Sequence, residues 1–182
     1  MSVYDPAEAL AYRDSLPLSW TLLAEYPNAH SLERQGETNV NVLARVVSLE
    51  DRHSLAGEEG ELEKEIGRLN NKMDLLIELV AQLARERLQL PPAAALLLSA
   101  HTLVWTPLAD APSLGSRVMI ALYLNPCIAE PLRLPAVIER CDNGQVHARF
   151  EHPSESCQST LEQHVFLRHR RSVAENRKFL AE

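Results

Sequence analysis

The sequence predicts an α+β chain in which short strands are interrupted by two long helices and followed by a terminal one. Three observations carry this. After Pro92, apolar and polar residues alternate every two positions in runs of strand length. Asn143-Gly144 separates two such runs, a strong hairpin signal. From Leu62 to Leu88, apolar residues recur at alternating steps of four and three, the spacing of a coiled-coil seam.

Size and charge bound the possibilities. A chain of 182 residues, 46% apolar, can bury the core of one domain with an insertion but not of two enzyme-sized domains. The formal charge of -7 argues against a broad electrostatic footprint for nucleic acid or anionic lipid. No apolar run approaches the roughly 20 residues of a membrane span, so no membrane insertion is expected. The first residues, MSVYDPAEAL, lack the basic and apolar regions of a secretory signal. Cys127, Cys141 and Cys157 are odd in number and widely spaced, which suits unpaired thiols in a reducing compartment. A cytoplasmic protein is expected.

Taken in order, LPLSWTLL from Leu16 to Leu23 reads as one strand led by Pro17, with no neighbouring strand close in sequence. A first helix is predicted from a cap at Thr38 or Asn39 to about His53, with Val40, Leu43, Val46 and Val47 on its apolar face. Gly57 and Gly60 interrupt it, and the acidic run beside them suits the start of a second helix. That helix runs to Leu88 and is stopped by Pro91-Pro92. Its length is roughly 45 Å at 1.5 Å per residue. Strands follow in ALLLSAHTLVW, SRVMIALYL, PLRLPAVIER and QVHARFE, and a terminal helix is predicted from about Leu161.

With Ile66 at heptad position a, Met73 and Val80 are also a, while Leu62, Leu69, Leu76 and Leu83 are d. A strict 3.5-residue repeat over three heptads differs from the 3.6-residue drift of a helix packed on its own core. The rest of the chain is too small to cover such a helix, so self-association is expected. Ile66 and Val80 at a with leucine at d favour two strands. The flanks oppose this, because Ile77 and Leu79 widen the apolar surface where dimers place ion pairs. A tetramer is therefore expected over a dimer, with the Thr38 to His53 helix as its outer layer.

The β region resembles a PilZ domain, the small β-barrel of bacterial cyclic di-GMP signalling. LPLSW fits the first barrel strand, LLLSAHTLVW from Leu96 the strand-turn-strand of the family's second motif, and LGSRVMIALYL from Leu114 the strand opened by glycine. LPAVIERCDNGQVHARFE from Leu134 fits the closing hairpin, with Phe150 at the buried aromatic position. The inserted helices resemble those of the atypical tetrameric PilZ proteins, in which the heptad-bearing helix builds a parallel four-stranded coiled coil. The resemblance implies an antiparallel barrel shared between residues 1–37 and 91–182, with a helical insertion over 38–90.

It also implies where a dinucleotide would bind. PilZ domains that hold cyclic di-GMP strongly use R-x-x-x-R ahead of the first strand and a D/N-x-S-x-x-G turn, because two phosphates and two guanines call for guanidinium forks. Here no two arginines are four apart, and Arg13 stands alone before the strand. In the turn Ser99 remains, but Leu97 replaces the acid or amide and Thr102 the glycine. Losing one arginine costs a few kcal/mol, enough to move an affinity from about micromolar toward millimolar. Weak or no binding is expected, and no cofactor.

Other constellations read as structure. Cys141, His147, His152 and Cys157 lack zinc-knuckle spacing. His164 and His169 beside Glu162 or Glu175 have no nucleophile or phosphate loop with them, so no catalytic residue is assigned. Arg168, Arg170 and Arg171 form a basic cluster that could dock a protein partner or complement the helix C-terminus. The expected function is a non-enzymatic signalling adaptor. Its rivals are a direct cyclic di-GMP receptor with a rebuilt site using Arg13 and Ser99, and a nucleic-acid regulator using the arginine-rich tail.

Overall fold

The structure, a computed structural model, describes residues 10–51, 65–69, 72–73, 75–76, 79–80, 90–125, 128–151 and 154–179. Six strands, β1 (Ala11–Leu22), β2 (Ala93–Ser99), β3 (Thr102–Trp105), β4 (Arg117–Leu122), β5 (Leu132–Asp142) and β6 (Gln145–Phe150), close into a barrel in the order β1-β2-β3-β6-β5-β4. All neighbouring pairs are antiparallel. The first strand, which has no mate near it in sequence, is paired on both sides by strands from beyond the insertion.

Period-two alternation sets the inside of the barrel. In β6, Val146, Ala148 and Phe150 are buried while His147 and Arg149 face out, as the sequence predicts. Leu98, Leu103, Trp105, Ile120, Leu122, Leu134 and Ile138 fill the same interior. The β5–β6 turn has Asn143 at φ 51° and Gly144 at φ 74°, the two left-handed residues of a type I′ turn that matches strand twist. Gly115, at φ 76°, ends the turn that opens β4, and its N–H donates to the Ile138 carbonyl at 2.8 Å.

Helix α1 (Ala29–Asp51) starts well ahead of the expected cap at Thr38 or Asn39. Asn28 is the cap, its side-chain oxygen accepting the Ser31 N–H at 2.9 Å. Sequence reasoning missed it because the first two turns, HSLERQG, are polar and show no apolar period. The buried face is Asn39, Val42, Leu43 and Val46, with Val40 and Val47 only partly covered. This face packs on β5 and on α2 (Glu155–Phe179) of the same chain. At roughly 1.5–3 kcal/mol per buried Leu or Val, this face anchors α1 to its own barrel.

Asn39 explains how α1 is placed. Pairing of β5 with β6 begins at Ala136–Phe150, so the backbone of Arg133 has no strand on that side. Asn39 supplies one: Nδ2 donates to the Arg133 carbonyl at 2.7 Å and Oδ1 accepts the Arg133 N–H at 3.0 Å. A fully buried amide thus imitates a backbone ladder.

Helix α2 begins at Glu155, ahead of the expected Leu161, with Ser154 Oγ accepting the Cys157 N–H at 3.1 Å. Cys157, Leu161, His164 and Val165 form its buried face. Cys157 is a free thiol whose pKa is raised by burial, with the Asn39 amide acting the other way. No helix among the described residues is long and apolar enough to cross a membrane.

Candidate functional site

Two regions bear on function, and the first is the heptad surface. The described residues at 65–69, 72–73, 75–76 and 79–80 are helical. Among them Ile66, Leu69, Met73, Leu76, Leu79 and Val80 are exposed to between 47% (Met73) and 64% (Val80). Six large apolar side chains at coiled-coil spacing and half bare to water exceed what scattered surface residues account for. Leu62, Ile77 and Leu83, the remaining positions of the surface, lie outside the described residues.

The second region is a groove of about 390 Å³ on the outer wall of the barrel. Register builds it: Arg13 on β1 stands opposite Leu97 on β2, Leu97 opposite Val104 on β3, and Val104 opposite His147 on β6. Leu97 and Val104 form an apolar floor between two polar rims, Arg13 on one side, Gln145 and His147 on the other. Next in the row is Arg140, whose Nη2 lies 3.2 Å from both ring nitrogens of His147. Asp142 Oδ1 is 3.1 Å from Arg140 Nε and 3.2 Å from His147 Nε2, within charge contact though not aligned as a hydrogen bond. Partial burial, then Arg140, lowers the His147 pKa, against the pull of Asp142. The charged residues lining this groove are therefore Arg13 and Asp14, and Asp14 is paired with Arg168.

Of the four residues expected at a degenerate dinucleotide site, Arg13 and Leu97 line this groove and Ser99 and Thr102 do not. Ser99 is buried, and its Oγ accepts the Thr102 N–H at 2.8 Å and the His101 N–H at 3.2 Å while sharing a hydrogen bond with Thr102 Oγ1 at 2.8 Å. The pair closes the β2–β3 turn on itself, so the hydroxyls serve the fold.

The basic cluster on α2 divides in the same way. Arg168 pairs with Asp14 on β1 and lies over the Tyr12 ring at 5.2 Å, so its charge is spent holding α2 to the barrel. Arg170 is exposed, its guanidinium 5.7 Å from the Phe166 ring. Arg171 is half-buried.

Beside Arg168, His164 is 1% exposed, with Nε2 3.0 Å from the Tyr12 hydroxyl. Its Nδ1 has no hydrogen-bond partner among the described residues. Burial, then Arg168, pushes the His164 pKa down to about 4, with Asp14 opposing. The imidazole is a neutral core group joining α2 to β1. Because the unfolded chain takes up this proton near pH 6.5 and the folded chain only near 4, stability is full above 6.5 and falls as pH drops through that window. The expected loss is roughly 3 kcal/mol by pH 4. Urea midpoints measured from pH 7 to 4.5 check this: the slope should flatten in His164→Gln, and an unchanged slope would place the linkage elsewhere.

Among the described residues no three His, Cys, Asp or Glu side chains cluster as metal ligands. Cys141 is exposed, Cys157 is buried, and His152 lies outside the described residues.

Comparison with known proteins agrees with the barrel and its helices. A protein from Xanthomonas campestris, described as a tetrameric PilZ domain self-assembled through an unusual helical bundle, superposes with a TM-score of 0.60 at 24% identity, over 92% of each chain. No curated protein matches the chain. The family model for the atypical PilZ domain, cyclic di-GMP receptor, matches residues 40–178, from inside α1 into the last turns of α2. The chain therefore belongs to the atypical PilZ domain family of cyclic di-GMP receptors, a family of binding domains and not of enzymes.

Proposed function

We propose that this chain is a cytoplasmic signalling adaptor of the cyclic di-GMP pathway, assembled as a tetramer through residues 62–83, acting through protein partners and holding the dinucleotide weakly or not at all. One observation carries the assembly: the apolar surface at Ile66, Leu69, Met73, Leu76, Leu79 and Val80 is bare in the single chain. The similar Xanthomonas protein, described as tetrameric, supports the number four. The exposed Leu79 beside the seam widens the apolar surface beyond the a and d positions. Joining several barrels raises the effective concentration of each at a partner's surface without a tight single contact.

Weak ligand binding is supported by the groove, whose rims offer Arg13 as the cation where a dinucleotide has two phosphates. The description of the family as receptors favours the other reading, direct binding in this groove. Calorimetric titration of the full chain with cyclic di-GMP separates the two. The adaptor reading expects no saturation below about 100 μM, as loss of a charged hydrogen-bond donor worth a few kcal/mol implies. Saturable heat at low micromolar ligand, abolished in Arg13→Ala, would establish the receptor reading instead.

A further inference from the structure

β1 serves two neighbours by halves. Residues Ala11 to Pro17 pair with β2, and Leu18 to Leu22 pair with β4. Alternate residues of an antiparallel strand turn their N–H and C=O to opposite sides, so each half leaves backbone groups pointing away from its partner. On the first half two of these groups meet side chains: His169 Nδ1 lies 2.8 Å from the Ala11 carbonyl oxygen, and Asp14 Oδ1 accepts the Ser15 N–H at 2.8 Å.

The Pro17 carbonyl and Leu23 N–H bond to β4, which fixes the odd-numbered residues as those facing it. On the opposite side the Leu18 N–H reaches the Pro92 carbonyl at 3.4 Å, and there the β2 ladder ends. Trp20 and Leu22 come next on that side, and among the described residues no main-chain group bonds to them. A closed barrel normally has no such edge.

Beside it lies a groove of about 310 Å³ whose lining includes Trp20, Pro92, Trp105, Leu108 and Asp110. Leu108 and Leu22 are 65% and 64% exposed. Asp110 is exposed and has no ion pair among the described residues, on a chain of net charge -7.

We propose that the Trp20 and Leu22 edge, with this groove, docks an extended cationic segment of a partner protein. The segment adds a strand where β2 stops, seats an apolar side chain against Trp20 and Leu108, and turns a Lys or Arg toward Asp110. A second copy of this chain would instead bring Asp110 and a net negative surface against themselves. The inference depends neither on dinucleotide binding nor on the number of chains assembled.

The test is selection of random dodecapeptides displayed on phage against the full chain, followed by amide hydrogen exchange with the selected synthetic peptide. The expected result is a basic, apolar consensus whose binding slows exchange at the Trp20 and Leu22 amides. Affinity should fall at least about tenfold in Leu108→Ser and in Asp110→Lys, both at exposed positions. Peptides that bind without protecting these amides, selection of none, or protection already present in the free chain and growing with its concentration would each overturn the proposal. The last outcome would assign the edge to a second copy.

Discussion

Leu76→Asp is expected to dissociate the assembly to single chains at tens of micromolar protein, and Leu69→Asp to do the same. Each places a carboxylate in an apolar seam where every helix contributes the same residue. Burying an ionised group without a partner costs several kcal/mol per chain, and like charges meet at the axis. Leu75→Asp is the control, because Leu75 is just as bare at 57% but occupies position c, outside the seam. Light scattering should give the parental mass for Leu75→Asp and the mass of one chain for the other two. Equal masses for all three would refute the register.

The second large effect falls on the barrel. Asn39→Ala removes both side-chain hydrogen bonds to the Arg133 backbone and leaves an N–H and a carbonyl unpaired under α1. Each orphaned group costs about 1–3 kcal/mol, so a total loss of roughly 2–6 kcal/mol is expected. Asn39→Asp keeps the acceptor but turns a charged oxygen toward the Arg133 carbonyl, and should be no milder. Urea unfolding with an unchanged m-value is the check. A loss under about 1 kcal/mol would mean that water replaces the amide without penalty.

What the sequence disclosed follows from which forces leave a periodic trace. The β5–β6 hairpin was legible because type I′ geometry needs two left-handed residues and Asn143-Gly144 supplies them. The inner face of β6 was legible because Val146, Ala148 and Phe150 alternate. The start of α1 was hidden because its capping residue, Asn28, precedes two polar turns that bury little. The role of Asn39 was hidden for another reason. Its partner is a main-chain segment 94 positions away, and nothing in a run of residue types marks where a strand outruns its neighbour.

The candidate site shows the same division. Arg13, Leu97, Ser99 and Thr102 were found by matching a motif, yet only register reveals that Arg13 and Leu97 share a groove while Ser99 and Thr102 bond to each other. Arg168 looked like part of a free basic surface because sequence separation conceals Asp14, which lies on the first strand. The edge at Trp20 and Leu22, unbonded among the described residues, has no sequence signature beyond Pro91-Pro92, whose effect falls on a strand distant in the chain.

Sedimentation equilibrium of the intact chain, from sub-micromolar to hundreds of micromolar, bears most directly on whether the Ile66 to Val80 surface is covered by copies of itself. The expected result is a species of four times the 20.4 kDa chain mass, unchanged by added cyclic di-GMP. A 20.4 kDa particle persisting at the highest concentration would contradict it.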